Sequence, residues 1–275
     1  MKGKPATAEL RAYFHQSDDR TFLKGKYHTA PIKIAKSFQM DQELGIIVMD
    51  VSPGMLEGDN YSMEWFAGQN TSLYVTNQSF TKVHPCPNGG RAEMRQLFQL
   101  DQSAFVQYMP QPSMLYQDAE YMNTTVVRLA PGAVWMQAEV LCPGRTHLGE
   151  RFKYRHYQSA LSVYYQDEMI FNQRQRIVPS SQNLQEKGAW EEQTHWGTFY
   201  VFSDRINSSH VEAIREKLQS LPQTPKSEVL FGVTLTYRHG LVVTASAQAA
   251  WPLQETLECA FHFIRKTVFG KGMIN

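Results

Sequence analysis

From Glu9 to about Phe202, no stretch of the sequence shows the apolar spacing of an amphipathic helix. The apolar residues recur instead at every second position, in short runs that Gly, Pro, Asn or Asp interrupt. A period of two is typical of strands that bury one face, whereas α/β folds need a crossover helix between successive parallel strands. The sequence therefore predicts an all-β body.

The predicted strands are rich in β-branched and aromatic residues, which favour extended backbone. They are residues 61–66, 72–76, 104–109, 134–140, 161–165, 169–177, 197–202, 229–237 and 241–244. Many short strands of this kind suit a sandwich, a barrel or an irregular β-solenoid. The periodicity does not choose among these three.

Two helices are predicted, both after the β body. The first spans about 208–220, where Ser209 and Glu212 have the spacing of a capping box. The second spans about 252–269 and begins at Pro252, a residue suited to a first helical turn. We expect a β body at residues 1–202 and a C-terminal part at 203–275, which holds both helices and a short strand pair and packs on the body as one structural unit.

Charge and cysteine content restrict the class of protein. The 275 residues carry 27 Lys and Arg against 26 Asp and Glu, so nothing in the net charge favours nucleic acid or an anionic membrane. No apolar run reaches the ~18 residues of a membrane span, and no signal peptide is recognisable. Three widely spaced cysteines, Cys86, Cys142 and Cys259, do not form a disulfide framework. We expect a soluble, cytoplasmic protein.

The common catalytic motifs are missing from the sequence. It contains neither of the glycine-rich loops that cradle phosphates, nor the His-Glu-x-x-His, Cys-x-x-Cys or Gly-x-Ser-x-Gly patterns. This argues against a nucleotide-hydrolysing enzyme, a dinucleotide enzyme, a common zinc site or a serine hydrolase. Any catalysis would depend on dispersed residues.

His84 and Cys86 form the most metal-like local group, an imidazole and a thiol two residues apart in a turn-rich stretch. Two ligands do not close a metal site. The pair is equally explained as polar side chains of a loop that Pro85 and Pro87 stiffen.

Three carboxylates stand out by their surroundings. Glu57 and Asp59 flank Gly58 in a turn, and Glu139 lies within the apolar strand Val134–Leu141. A buried carboxylate must be paired, hydrated or functional, and Arg145 or Arg151 would be suitable partners for Glu139. Paired carboxylates also serve glycan-cleaving enzymes on solenoid folds as general acid and base.

Six segments, taken in order, resemble the urease accessory protein family called UreD or UreH. They are Pro53–Asp59, Val75–His84, Tyr108–Pro112, Glu139–Arg145, Gly149–Phe152 and Phe263–Gly270. The resemblance extends from about Thr21 to Gly270.

The resemblance implies a fold and a role. The fold is an irregular right-handed β-helix-like body, a β-solenoid, with two C-terminal α-helices. The role is that of a maturation factor without enzymatic activity, which binds UreF in a 2:2 complex, recruits the GTPase UreG through UreF, and docks on apo-urease. No cofactor is tightly bound, and nickel passes through in transit to the urease active site.

By match of motif, the resemblance implies a nickel path lined by Asp59, Gln78, Ser79 and Glu139. Carboxylates, amides and hydroxyls bind nickel more weakly than imidazole and thiolate do, so they suit transit better than storage. This chain departs from the family at Gln173, where an acidic residue is usual. The alternative function is a β-solenoid carbohydrate-active enzyme that uses Glu57, Asp59 or Glu139.

Overall fold

The structure is a computed structural model that describes residues 7–222, 224 and 228–274. Its strands are β1 Ala8–Ser17, β2 Arg20–His28, β3 Ile32–Met40, β4 Glu43–Asp50, β5 Asn60–Ala67, β6 Ser72–Asn77, β7 Thr81–Val83, β8 Ala92–Leu100, β9 Phe105–Tyr108, β10 Ser113–Leu115, β11 Glu120–Leu129, β12 Val134–Cys142, β13 His156–Tyr165, β14 Glu168–Ile177, β15 His195–Phe202, β16 Val229–Leu235 and β17 Gly240–Ala247. The helices are a 3₁₀ turn at Thr146–Leu148, α1 Ser209–Gln219 and α2 Ala250–Thr267.

The strands form two sheets that the chain visits alternately. Sheet A has the order β14-β13-β11-β8-β5-β1-β2, and sheet B has the order β16-β17-β15-β12-β9-β6-β4-β3, with β7 and β10 beside β12. Strands β5, β8, β11 and β13 pair in parallel in sheet A, as do β4, β6, β9 and β12 in sheet B. Successive turns of the chain thus stack on one another, and the predicted β-solenoid is confirmed, with about four turns.

Two apolar cores hold this arrangement. The first lies between the sheets and contains Trp65, Phe98 and Trp135. The centre of the Phe98 ring lies 6.0 Å from that of Trp65 and also 6.0 Å from that of Trp135. The second lies between the outer face of sheet B and the helices, where Leu253, Leu257 and other α2 side chains cover it. Strands β12, β15 and β17 of sheet B are therefore buried on both faces, whereas neither of the described α-helices covers the outer face of sheet A.

Both predicted helices are present, with small changes at their starts. Helix α2 begins at Ala250, two residues before Pro252, which still occupies the first turn. The Ser209 capping box is wrong: the Asn207 side chain accepts the Ser209 N–H at 3.0 Å, and the Asn207 N–H is donated to His210 Nδ1 at 3.1 Å. Glu212, the expected partner of Ser209, pairs with Arg215 instead.

Among the described residues, neither helix combines the length and apolar content that a membrane crossing requires. The three cysteines are free, and two of them are buried. Residues 223 and 225–227, between α1 and β16, lie outside the described residues.

One buried ionic cluster joins the end of the chain to the first solenoid turns. Arg265 of α2 donates to the Glu43 carboxylate at 2.9 Å, and Lys271 lies 2.8 Å from its other oxygen. Gln107 of β9 donates to the same carboxylate at 3.1 Å and accepts from Arg265. Burial by itself would raise the pKa of Glu43, but the hydrogen bonds and charges of Lys271 and Arg265 outweigh it and lower the pKa.

We predict that Glu43→Gln lowers the free energy of unfolding by about 3 kcal/mol, because Arg265 would remain buried without its counter-charge. Since the pKa of Glu43 is lowered by folding, its stabilisation is present at neutral pH and is lost as pH falls through that pKa. Urea unfolding measured from pH 7 to pH 3 should show this loss in the wild type and a weaker one in the variant. Glu212→Gln, which breaks an exposed pair, is the control and should cost less than about 1 kcal/mol.

Candidate functional site

The space between the sheets contains a polar region within an otherwise apolar core. Its centre is Glu139 on β12, whose carboxylate accepts hydrogen bonds from Gln137 Nε2 at 3.1 Å and from the Tyr200 hydroxyl at 3.3 Å. Burial raises the pKa of Glu139 to about 7, although both hydrogen bonds act in the opposite direction. The carboxyl group is therefore divided between its charged and neutral forms at neutral pH.

Four buried tyrosines lie near enough to this carboxylate to be affected by its charge: Tyr108, Tyr121, Tyr157 and Tyr200. Burial raises the pKa of each hydroxyl, and the charge of Glu139 raises it further. The phenols thus stay protonated and neutral at physiological pH. They supply hydroxyl groups along the interior without adding negative charge.

Register explains why these polar groups meet. In sheet A, Gln96 of β8 pairs with Thr125 of β11, and both side chains are buried. In sheet B, Gln137 stands between Tyr108 of β9 and Tyr200 of β15. In-register stacking therefore places polar residues of successive turns side by side.

Three amide oxygens in this part of the fold are buried without a hydrogen-bond donor among the described residues. They are Gln96 Oε1, Asn123 Oδ1 and Gln137 Oε1. Buried oxygens of this kind are normally satisfied by water or by a cation. The interior is therefore chemically suited to hold a hydrated cation weakly.

A cavity of about 80 Å³ opens at the end of the solenoid where β4 and β6 finish. Gln78 and Ser79, both predicted site residues, line it and are exposed at its mouth. Tyr61 and Tyr108 form part of its wall, and Tyr108 also responds to the charge of Glu139. Tyr108 therefore lies between this cavity and the Glu139 carboxylate.

Asp59 lies in the turn before β5, where its carboxylate accepts the Leu56 N–H at 2.7 Å. Its charge contributes to the raised pKa of Tyr61, so Asp59 is near the cavity although it is not part of the lining. The structure thus places Gln78 and Ser79 at the mouth, Asp59 beside it and Glu139 deeper inside.

The neighbouring carboxylate, Glu57, has a different role. It accepts hydrogen bonds from the Asn88 N–H, the Asn88 side chain and the Gly90 N–H, and these bonds together lower its pKa against the opposing effect of burial. A Cβ at Gly90 would lie 2.8 Å from a Glu57 oxygen, so a larger residue there would require the Glu57 side chain to shift. Glu57 fixes the loop beside Asp59 and has no oxygen left for a substrate.

His84 and Cys86 do not converge on one point. The His84 ring lies 3.2 Å from the Pro53 carbonyl and packs edge-on against Tyr116, whereas the Cys86 sulfur accepts the Glu120 N–H at 3.5 Å. Within the described part of the chain, no group of three or more His, Cys, Asp or Glu residues is arranged to hold a metal.

The expected partners of Glu139 are engaged elsewhere. Arg145 forms a salt bridge with Glu150 and stacks 3.9 Å above the Tyr116 ring, and Arg151 lies over Phe152. The carboxylate is held by neutral donors only, which explains its raised pKa. Gln173 of β14 pairs with Leu161 in sheet A and is half-buried.

Sequence reasoning missed the four tyrosines, Gln96, Asn123, Thr125 and Gln137 as site residues. The available signal was a polar residue at an inward position of a strand, such as Gln96 between Met94 and Phe98. Because these polar residues interrupt the alternation of apolar and polar positions, the sequence did not predict strands β8 and β11.

Comparison with known proteins finds relatives that match most of the chain. The sequence model of the family described as "UreD urease accessory protein" matches residues 6–274. The urease accessory protein UreD of Acetivibrio thermocellus is 31% identical over 258 residues, which cover 93% of this chain and 95% of the relative. The corresponding proteins of Bacillus cereus and Actinobacillus pleuropneumoniae are 23% and 27% identical, over 96% and 88% of this chain and 95% and 91% of those relatives.

We predict that Glu139→Gln makes the protein more stable at pH 8, by up to about 3 kcal/mol. The folded-state pKa of Glu139, about 7, lies above the unfolded value of 4.5, so the folded state binds more protons between these values and stability falls as pH rises. Urea unfolding at pH 5 and pH 8 should show this decline in the wild type and not in the variant. Equal declines in both proteins would mean that Glu139 is ionised throughout.

Proposed function

The chain belongs to the UreD family of urease accessory proteins, and we propose that its interior conducts nickel to urease during maturation of that enzyme. As an accessory protein it is not an enzyme, so a carbohydrate-active enzyme built on Glu57, Asp59 or Glu139 is no longer a candidate. The geometry agrees with this, because Glu57 is engaged by loop amides and Glu139 accepts hydrogen bonds from Gln137 and Tyr200.

The observation that carries the proposal is a carboxyl group with a pKa near 7 beside buried, unpaired amide oxygens. Ni²⁺ competes with the proton for such a carboxylate, because a ligand must be deprotonated to bind metal. Protonation therefore favours release. Amide and phenol oxygens bind nickel weakly, and no imidazole or thiolate cluster exists among the described residues to trap it.

The proposed route enters at the cavity lined by Gln78 and Ser79, passes Tyr108, and reaches Glu139. Asp59 adds negative charge beside the mouth, which attracts divalent cations. Gln173 lies in the same register row as Gln96 and Thr125, so its amide can replace the usual acidic side chain as a neutral ligand. Nickel is cargo on this route, and no resident cofactor is proposed.

The proposed partners follow from the family. UreF binds this chain in a 2:2 complex, UreG joins through UreF, and the assembly docks on apo-urease. The proposed maturation of urease takes place in the cytoplasm, where urease is assembled.

We predict that Gln78→Lys and Glu139→Gln reduce the nickel content of urease when each variant replaces the wild type in a host that expresses the urease genes. A lysine about 4 Å from a divalent ion repels it by ~8 kcal/mol at an effective dielectric constant of 20, and even a fifth of this slows transfer about tenfold. Glu139→Gln should act more mildly, because it removes an attractive site without adding a barrier. Nickel per urease is measured by elemental analysis of the purified enzyme.

Gln99→Lys is the matched control, since Gln99 is exposed on the outer face of β8. It should leave urease nickel unchanged. All variants are also tested for capture of UreF and urease. Loss of capture together with nickel would assign these residues a structural role, and full nickel loading by both Gln78→Lys and Glu139→Gln would remove them from the route.

We predict that co-expression with UreF increases the soluble yield of this protein and gives one complex with two copies of each chain, because a scaffold surface meant to be covered is apolar. Size-exclusion chromatography with light scattering measures its mass. A monomer that elutes separately from UreF would contradict the proposed assembly.

A further inference from the structure

The strand orders of the two sheets end in four strands, β2, β3, β14 and β16, and three of them carry devices that block further pairing. Strands β2, β3 and β14 each contain a bulge, at Lys24, Ala35 and Ile170 respectively. Each also carries basic residues: Arg20, Lys24 and Lys26 on β2, Lys33 and Lys36 on β3, and Arg174 and Arg176 on β14. Bulges and charges of this kind prevent an edge from adding another strand.

The fourth edge, β16, has none of these devices. Its sequence, Val-Leu-Phe-Gly-Val-Thr-Leu, contains no charge and no proline, and its pairing with β17 is regular over all seven residues. Leu230 is 54% exposed and Leu235 is 39% exposed. The outer row of backbone N–H and C=O groups on β16 is therefore a regular, uncharged template for strand pairing.

A crevice runs directly beside this edge, on the side of the helices. Its apolar lining comes from both β16 and the helix ends: Leu218, Leu221, Pro222, Val229, Phe231 and Pro252. Val229 and Phe231 stand two positions apart on β16 and point to this side, where they pack on the helix core. A strand added to β16 would direct every second side chain into the crevice.

The carboxylate of Glu255 gives the crevice a preference for a basic residue. Glu255, in the second turn of α2, lines it and is exposed, and no ion pair that includes Glu255 is found among the described residues. A basic side chain on the incoming segment would supply the missing counter-charge. An acidic one would be repelled.

We propose that the β16 edge binds an extended segment of a partner protein by strand addition, with alternating apolar residues in the crevice and a basic residue beside Glu255. Main-chain hydrogen bonds would give affinity and the crevice would give specificity. This surface is separate from the nickel route, and the proposal does not depend on it.

An extended segment fits this edge better than a second copy of the chain. Seven paired residues extend about 24 Å, and an edge-to-edge contact of that length falls short of the ~1,200 Å² that a stable interface buries. An extended segment buries both its backbone and its alternate side chains, so it gains more from the same edge.

The first test uses a synthetic peptide as the probe, the blocked nonapeptide Lys-Thr-Val-Ser-Leu-Thr-Val-Ser-Lys, whose two lysines lie on the same face of a strand as its apolar residues. Fluorescence anisotropy should show saturable binding to the full-length protein, and hydrogen exchange of the β16 amides should slow in the complex. A peptide of the same composition with its apolar residues grouped together should bind at least about tenfold more weakly. No binding by the alternating peptide, or equal binding by both, would overturn the proposal.

The second test asks whether the peptide backbone pairs with the edge. Two peptides are N-methylated on alternate amides, one at the even positions and the other at the odd positions. Only one set of amides faces the edge in an added strand, so one peptide should lose binding and the other should keep it. Equal effects of both would contradict strand addition.

Variants of the protein complete the design. Leu230→Lys places a charge on the outer edge at an exposed position and should weaken binding at least about tenfold, whereas Leu148→Lys, at a comparably exposed residue in the 3₁₀ turn, should not. Glu255→Lys should weaken binding of the lysine-containing peptide and strengthen binding of a peptide in which glutamate replaces both lysines. Circular dichroism confirms that each variant folds. Concentration-dependent dimers that Leu230→Lys abolishes would assign the edge to a second copy and overturn the proposal.

Discussion

In-register parallel pairing of successive turns is the constraint from which the rest of the structure follows. It turns each inward position into a row, so that Trp65 stacks on Phe98 in the apolar rows. The same rule lines up Gln96 with Thr125 and Gln137 with Tyr108. The antiparallel strand β15 then places Tyr200 on the other side of Gln137. A polar interior of this form needs no special loop or bound group. It arises wherever the sequence places polar residues at equivalent positions of neighbouring turns, and its cost is offset by the apolar rows on either side.

The helical part has a second, electrostatic connection to the solenoid. Helix α2 covers sheet B through apolar contacts, which give adhesion but little positional specificity. The Glu43 carboxylate, with two cationic partners and an amide, adds defined geometry at one point. Glu43 and Glu139 show opposite outcomes of burial: cationic neighbours keep the first carboxylate charged, while neutral donors allow the pKa of the second to rise. The first carboxylate thus joins α2 to the solenoid, whereas the second has hydrogen-bond partners but no ion-pair partner among the described residues.

Much of the fold followed from the sequence, and the site followed in part. Strands such as β5, β6 and β14 alternate clearly and were predicted, as were both helices. Strands β8 and β11, which supply Gln96 and Thr125 to the polar interior, were not, because these polar residues stand where alternation calls for apolar ones. The capping box failed for a local reason, since Asn207 competes with Ser209 for the same backbone groups. The raised pKa of Glu139 results from its burial between strands that are distant in the sequence, and it has no signature along the chain.

The contact between Glu43 and Arg265 joins residues 222 positions apart in the sequence. During synthesis, the solenoid turns can stack as they leave the ribosome, because each turn pairs with one made shortly before. The carboxylate of Glu43 nevertheless has no cationic partner from this cluster until Arg265 and Lys271 have been synthesised and have left the exit tunnel. Formation of this ionic cluster is thus coupled to the synthesis of α2, and a chain that still lacks α2 presents an uncovered apolar face of sheet B to chaperones and proteases.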